Sequence, residues 1–230
     1  SSAASDVYKR QDTTPGEGIN LAIDRLTDGV THIWILHDDV EVRRDSLTCM
    51  LREASRKPHP DVLYPTLLKP ARHNYPEFID EQGQSVSTGG ARVLPVVDRG
   101  DIDQKQADPG PILGGSTAGM FVRVDVWRRL GGFDPALPLF RDGVDFGWRA
   151  NEAGMVVRTA PSCTIHHRQA GRGWQRESHL APRPDVTDRL AGMRMVAART
   201  GHPTRTSLAL LVASVWRFLV LMAVSYTHLT

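Results

Sequence analysis

The chain alternates short apolar runs with polar segments rich in glycine and proline, a pattern that predicts an α/β domain. The apolar run at 32–36 is short and contains β-branched and aromatic side chains, as expected for a central strand buried on both faces. Asp38 and Asp39 follow this run almost directly. Because open α/β sheets bind ligands at the carboxyl ends of their strands, the two acids are candidate binding residues.

Two interpretations of these adjacent acids are open. Neighbouring carboxylates repel each other, and a divalent cation that prefers oxygen ligands relieves the repulsion. If the cation is Mg²⁺ or Mn²⁺, its remaining positions hold water and substrate phosphates. Alternatively, Asp38 and Asp39 cap a turn that leads into the following helix, since Asp is a preferred capping residue.

Periodicity and turn residues predict the other elements. Asn20 is expected to cap the first helix. The stretch 69–111 reads as a loop apart from a strand pair candidate within 91–97, and such long irregular stretches are more often functional or mobile than structural. The predicted helices cover 21–26, 45–56, 124–130 and 142–153, and the predicted strands cover 62–68, 120–122 and 156–160.

Composition narrows the class of protein. The 230 residues, 40% apolar and 23% charged, suit one globular domain with a sizeable core. A net charge of +2 gives no broad basic face, so no nucleic-acid partner is expected. The arginines that follow Arg141 fit an anionic membrane surface, an anionic substrate or a solvated face. Cys49 and Cys163 show no paired spacing and are interpreted as two free thiols in a reducing compartment.

Three segments carry a family resemblance. Together with His37-Asp38-Asp39, the segments 114–134, 139–150 and 161–167 resemble family 2 glycosyltransferases of the GT-A fold, in that family's order. The resemblance covers roughly 16–169 and is greatest to bacterial galactofuranosyl and rhamnosyl transferases of cell-envelope synthesis. It implies a Rossmann-like mixed sheet flanked by helices. It also implies an inverting, metal-dependent transfer from a nucleotide-diphosphate sugar.

The resemblance implies a metal site as well. The last acid of the first family motif is a ligand and corresponds to Asp39, and a histidine that ends a later strand corresponds to His167. Asp38 is implied to bind the donor through its ribose or a metal-bound water, and His37 stands where many relatives carry an acid. An Asp and a His on a divalent ion suit Mn²⁺ or Mg²⁺ with diphosphate oxygens. His166 is expected to be an ordinary surface residue.

The catalytic base is the position at which the chain departs from the family. Relatives carry two adjacent acids and usually use the second, but this chain has Gly143 after Asp142. Asp142 is the nearest substitute, and Asp145 is the next because it lies near the same helical face. The alternative is that Asp142 caps the helix while Asp145 pairs with Arg149 four residues later.

Glycine and aromatic positions supply the remaining site candidates. Gly114 and Gly115 permit a close approach of backbone to ligand, and in the resembled family this segment lines the donor side of the cleft. Trp148 is assigned to the same donor-binding group. Trp127 and Phe133 are expected to be core residues.

Both ends of the chain look foreign to the domain. The tails at 1–11 and 224–230 resemble translated adapter sequence and are interpreted as non-native, so the chain is expected to be truncated at both ends. The first strands of the fold, which bind the nucleotide base in the resembled family, are then expected to be missing. Between the tails lie a partial GT-A domain at 12–180, a basic linker or helix at 181–206 and an apolar helix at 207–223.

The apolar helix and Trp174 indicate a membrane. The 17 residues at 207–223 are at the short limit for crossing a bilayer, and Arg217 would be costly there. The segment is expected to begin a transmembrane region, with an interfacial helix as the rival interpretation. Trp174 is a candidate for acceptor stacking or membrane contact.

These observations predict a metal-dependent glycosyltransferase at the cytoplasmic face of a bacterial plasma membrane. Its partners would be a UDP- or dTDP-sugar and a glycan or lipid-linked acceptor. One alternative, motivated by Gly143, is a non-catalytic relative that binds nucleotide sugar or organises an envelope-synthesis complex. A metal-dependent hydrolase that uses Asp38, Asp39 and His167 would explain the acids but not the segment 114–145.

Overall fold

The computed structural model describes residues 14–70, 74–137, 139–168 and 183–227. They form a mixed α/β fold, which confirms the predicted class at that level. The helices are α1 (Pro15–Ile23), α2 (Ser46–Ala54), α3 (Val124–Leu130), α4 (Asp142–Glu152), α5 (Pro184–Arg199) and α6 (Pro203–Thr227). The strands are β1 (His32–Trp34), β2 (Val40–Val42), β3 (Val62–Leu68), β4 (Ile79–Glu81), β5 (Ser85–Val86), β6 (Arg92–Val93), β7 (Phe121–Arg123) and β8 (Val157–His167), and a 3-10 turn covers Thr117–Gly119.

One mixed sheet organises the domain. Its strands run in the order β1-β7-β3-β8-β2, and β4 also pairs with β3. Strands β3 and β8 are parallel, whereas the other pairs are antiparallel. The side chains of β3 are buried along its whole length, as expected for an apolar strand with both faces covered.

The position of β1 corrects one prediction. The segment at 32–36 was expected to be a central strand, but β1 lies at one end of the described strand order and pairs with β7 alone. Its three residues are only half-buried, whereas Ile35, just beyond the strand, is buried. Among the described strands, β1 is therefore an edge strand and is only half-buried.

The first helix also begins elsewhere than expected. Thr14 caps α1 by accepting a hydrogen bond from the Glu17 N–H, and the Glu17 carboxylate accepts one from the Thr14 N–H. This reciprocal pair is a capping box. Asn20 lies inside the helix, and its side-chain amide bonds the backbone N–H and C=O of Phe133. The predicted cap at Asn20 is therefore wrong.

Aromatic side chains form the core beneath helices α3 and α4. The rings of Trp127 and Phe146 are stacked with their centroids 5.0 Å apart, and Phe133 meets Trp127 edge-on at 4.7 Å. All three side chains are buried. Such contacts add to the stabilisation that burial of apolar area provides. The prediction that Trp127 and Phe133 are core residues is confirmed.

The two cysteines correct the prediction of free thiols. Cys49 on α2 and Cys163 on β8 form a disulfide across a sequence separation of 114 residues, with their Cα atoms 5.5 Å apart. Their spacing along the chain gave no hint of this pairing, because α2 and β8 meet only in the folded domain. In the chain-entropy description, closing a loop of about 100 residues stabilises the fold by about 4 to 5 kcal/mol.

The last helix, α6, includes the segment 207–223. Its exposed apolar side chains include Leu208, Leu211, Val215, Trp216 and Phe218. In the part of the chain that the structure describes, no helix combines the length and apolar character needed to cross a bilayer. The expectation of a membrane-spanning segment is therefore not met.

Candidate active site

Strand pairing brings three candidate metal ligands together. Val40, at the start of β2, pairs with His167 at the end of β8, which places Asp39 beside that histidine. The His167 Nε2 and Asp39 Oδ1 atoms are 3.4 Å apart. With His37, from the loop after β1, each residue offers one ligand atom, and these atoms lie within 4.8 Å of one another. We call His37, Asp39 and His167 the ligand cluster.

The donor set of the ligand cluster fits a divalent transition metal. Two imidazole nitrogens and one carboxylate oxygen suit Mn²⁺ better than Mg²⁺, which prefers oxygen ligands throughout. Burial, followed by the neighbouring His167, lowers the pKa of His37 to about 4. The neutral imidazole that results is the form that binds a metal.

Asp80, on β4, stands behind His167. Its Oδ2 atom lies 3.5 Å from His167 Nδ1, and its Oδ1 atom lies 3.1 Å from Nε of Arg99. A carboxylate behind a metal-binding histidine fixes the ring's orientation and raises its basicity. Sequence reasoning missed Asp80 because β4 falls inside the stretch that was predicted as a loop. The apolar residue Ile79, directly before Asp80, was the available sequence signal of a strand here.

Thr117 connects the ligand cluster to the start of helix α4. Its hydroxyl lies 2.8 Å from Nε2 of His37. On its other side, a Cβ atom placed on Gly143 would lie 3.0 Å from Thr117 Cγ2. The buried Tyr64 hydroxyl donates a hydrogen bond of 2.8 Å to the Gly143 carbonyl and holds the same turn of helix. The ligand cluster and the first residues of α4 are thus both in contact with Thr117.

Asp142 is the first residue of α4 and remains partly accessible. Its Oδ1 atom accepts a hydrogen bond of 2.9 Å from the Gly143 N–H. Burial raises the pKa of Asp142 to about 6, which is close to the value that suits a general base at neutral pH. The residue in the N-cap position is Arg141, in the left-handed conformation with φ 71°. The capping alternative for Asp142 is therefore wrong.

Asp145 makes the ion pair that its alternative interpretation predicted. Its Oδ2 atom accepts from Nε of Arg149 at 2.8 Å, and its Oδ1 atom accepts from Nε of Arg199 at 2.6 Å. The side chain is fully buried. Both carboxylate oxygens are engaged, Oδ2 within α4 and Oδ1 with Arg199 of α5, an arrangement that favours a structural role. A direct catalytic role for Asp145 stays a prediction that this geometry does not favour.

The glycines near Asp142 approach protein rather than open space. A Cβ atom on Gly143 would lie 2.3 Å from the Gly115 carbonyl oxygen, and one on Gly114 would lie 2.8 Å from Cα of Val144. One on Gly115 would lie 2.6 Å from the Tyr64 ring. Close packing of helix α4 therefore explains Gly114 and Gly115 without a ligand, and their donor-binding role stays a prediction.

We expect Gly143→Ala to destabilise the protein by about 3 kcal/mol, the upper end for overpacking, because the new methyl group meets backbone that cannot easily move. Gly143→Asp should likewise fail to restore the second acid of the resembled family. Urea unfolding measures the effect. Gly201→Ala is the matched control because nothing lies within 4 Å of its Cβ position. Equal unfolding free energies for the two alanine variants would contradict this packing.

The remaining candidates that the structure describes lie around this site. Asp38 is exposed in the turn before β2, beside the ligand cluster. The partly buried Trp148 packs against the core cluster that contains Val144 and Met195, and its indole N–H donates to Glu152 at 2.8 Å. His166 is buried, with Nε2 3.1 Å from the Glu77 carboxylate, so the expectation of a surface residue is wrong. Trp174 lies outside the described residues.

Two curated proteins are similar to the chain. Both are N-acetylglucosaminyl-diphospho-decaprenol L-rhamnosyltransferases of Mycobacterium tuberculosis, from strains CDC 1551 / Oshkosh and ATCC 25618 / H37Rv. Each is 28% identical over 159 residues, which cover 64% of this chain and 51% of the relative. The chain thus spans about half the length of the curated relatives it matches. No protein-family model matches it.

Proposed function

We propose that the protein is a metal-dependent, inverting glycosyltransferase of family 2 with a GT-A fold. The observation that carries this proposal is the convergence of His37, Asp39 and His167 beside Asp142. It occurs in a chain that is similar to L-rhamnosyltransferases. The family resemblance of the sequence motifs implies a dTDP- or UDP-activated sugar as the donor. The acceptor is a lipid-linked sugar diphosphate or a cell-envelope glycan.

The residues of the site divide the chemistry between them. The ligand cluster would hold Mn²⁺, and Asp80 would keep the His167 ring in place for it. When bound, the metal supplies positive charge for the leaving diphosphate. Asp142 takes the proton of the acceptor hydroxyl as that oxygen bonds to the anomeric carbon and the bond from carbon to phosphate oxygen breaks. Asp38 would contact the ribose or a metal-bound water.

We also propose that the enzyme works at the cytoplasmic face of a membrane. In support, α6 exposes Leu208, Leu211 and Trp216 to solvent, and such residues can lie in a lipid interface. The basic side chains of α5 and α6 would face anionic lipid headgroups. The disulfide between Cys49 and Cys163 opposes this location, since a reducing cytoplasm keeps thiols reduced.

One observation favours the second candidate, a non-catalytic protein that binds nucleotide sugar. The packing around Gly143 leaves no space for the second acid that the resembled family uses as its base. Under this candidate, the ligand cluster would bind a metal with a nucleotide diphosphate, and Asp142 would have no proton to accept.

Transfer by the intact protein distinguishes the two candidates. Purified protein with Mn²⁺ is given dTDP-rhamnose or a panel of UDP-sugars, with and without an N-acetylglucosaminyl-diphospho-polyprenol acceptor. Release of nucleoside diphosphate that requires both acceptor and metal is the expected result. Metal-dependent binding of nucleotide sugar without release would instead establish the non-catalytic protein.

A further inference from the structure

Helix α5 reaches the start of helix α4 through Asp188. Arg141 donates from Nε to Oδ1 and from Nη2 to Oδ2 of Asp188, both at 2.9 Å. The Arg141 side chain is only 1% exposed, so this forked pair is shielded from water. Paired charge-assisted bonds of this kind fix orientation as well as add energy. Because Arg141 directly precedes Asp142, the fork holds the backbone that carries the proposed base.

A second arginine connects Asp188 to the other side of the site. Arg92 donates from Nη2 to Asp188 Oδ1 at 2.8 Å and from Nη1 to Glu81 Oε2 at 3.4 Å. The other oxygen of Glu81 accepts a hydrogen bond of 2.8 Å from the Ser116 N–H. Ser116 caps the 3-10 turn that carries Thr117, the residue beside His37. Asp188 is therefore the point at which contacts from the base and from the ligand cluster meet.

Two glycines, Gly90 and Gly192, allow α5 to pack close to Arg141. A Cβ atom on Gly192 would lie 2.1 Å from the Gly90 carbonyl oxygen and 3.4 Å from Cζ of Arg141. One on Gly90 would lie 2.5 Å from the Met193 nitrogen. The helix thus sits directly over the Arg141 guanidinium, which fixes the position of Asp188 one turn away.

We propose that Asp188 is a positioning residue for the transfer reaction. It pairs with both Arg141 and Arg92, and Glu81 is the second carboxylate on Arg92. Asp188 therefore sets both the orientation and the electrostatic surroundings of Asp142. This inference rests on the proposed function. The charged and titratable groups around Asp142 are Arg92 and Asp145, which act on its pKa, with Tyr64, Arg141 and Asp188 beside them. No motif of the sequence includes Asp188.

Two substitutions in the intact protein shift the pH profile in opposite directions. Asp188→Asn removes the carboxylate partner of Arg141 and leaves Arg92 with Glu81 alone. The added positive charge beside Asp142 stabilises its carboxylate. The acidic limb of the kcat profile is then expected to move to lower pH. We expect kcat to fall about 10- to 100-fold, the usual effect of losing a residue that orients a reacting group, with a smaller change in KM. Arg92→Gln removes one positive charge and should move the limb to higher pH.

Asp185→Asn is the matched control, because Asp185 lies on the same helix and is exposed. Asp188→Glu should restore part of the activity, since it keeps the charge. If either Asp188→Asn or Arg92→Gln folds and its acidic limb coincides with that of the wild type, the proposal is wrong. A role in stability alone would lower the unfolding midpoint without moving the limb. Failure of the proposed function is distinguishable, because the wild type itself would then transfer no sugar.

Discussion

Replacing Asp39 by alanine is expected to abolish Mn²⁺ binding by the ligand cluster and to lower kcat by on the order of a thousandfold or more. The substitution removes the only carboxylate of the cluster His37, Asp39 and His167. A bound metal contributes several kcal/mol of charge stabilisation to phosphate departure, and each 1.4 kcal/mol is a factor of ten in rate. Isothermal calorimetry with Mn²⁺ measures binding, and nucleoside diphosphate release measures turnover.

Glu41→Ala provides the matched control for this experiment. Glu41 lies two residues from Asp39 on β2, but its side chain is exposed and 3.8 Å from Arg168 rather than in the cluster. His167→Ala should reproduce the loss, whereas Asp80→Asn should weaken metal binding about 10- to 100-fold by releasing the ring. Undiminished Mn²⁺ affinity in Asp39→Ala would remove the ligand cluster from the proposal.

The substitution Asp142→Asn is expected to lower kcat by about a thousandfold, the scale of removing a general base, and to leave donor affinity unchanged. In the wild type, kcat should fall as the pH drops below the Asp142 pKa of about 6, because the carboxylate must be ionised to accept a proton. The residual activity of Asp142→Asn should lack this acidic limb. Initial rates across pH 4 to pH 8, roughly the range around that pKa, test both statements.

The same raised pKa has a consequence for stability. The folded protein holds the Asp142 proton up to a higher pH than the unfolded chain, so the stability that it contributes is lost as the pH rises through the folded pKa of about 6. Asp142→Asn should therefore be more stable than the wild type at neutral pH. Asp145→Asn is the contrasting variant, because it leaves the Arg149 and Arg199 charges without their buried partner and should destabilise by about 3 kcal/mol. An acidic limb that persists in Asp142→Asn would exclude Asp142 as the base.

Local sequence signals were sufficient where a segment's own residues determine its structure. The strand at 62–68 and the helix at 124–130 have the predicted bounds, because an apolar run and a terminal Gly131 define them. The capping box of Thr14 and Glu17 was also readable, and overlooking it misplaced the first helix. Asp39 and His167 were assigned from motifs, and strand register explains why they meet.

Contacts between distant segments were not readable from the chain. Asp80 and Glu81 are buried acids in a strand, and ion pairs with Arg99 and Arg92, well separated in sequence, help to make their burial tolerable. Asp188 acts through a helix that no motif marks. The pairing of Cys49 with Cys163 likewise depends on how α2 meets β8. Sequence patterns report a segment's own preferences, whereas these residues are defined by partners that only the fold supplies.

The disulfide has a topological consequence for the metal. It closes a covalent ring from Cys49 to Cys163 that contains Asp80, Thr117 and Asp142. The three ligands of the cluster lie outside this ring. His37 and Asp39 are on the segment before Cys49, and His167 is on the segment after Cys163. Reduction of the bond would leave those segments held by the β2–β8 pairing without a covalent restraint, so metal affinity and thiol redox state are thermodynamically linked, each shifting the other by the same factor. The compartment in which the protein is produced would thus set how tightly it holds its ion.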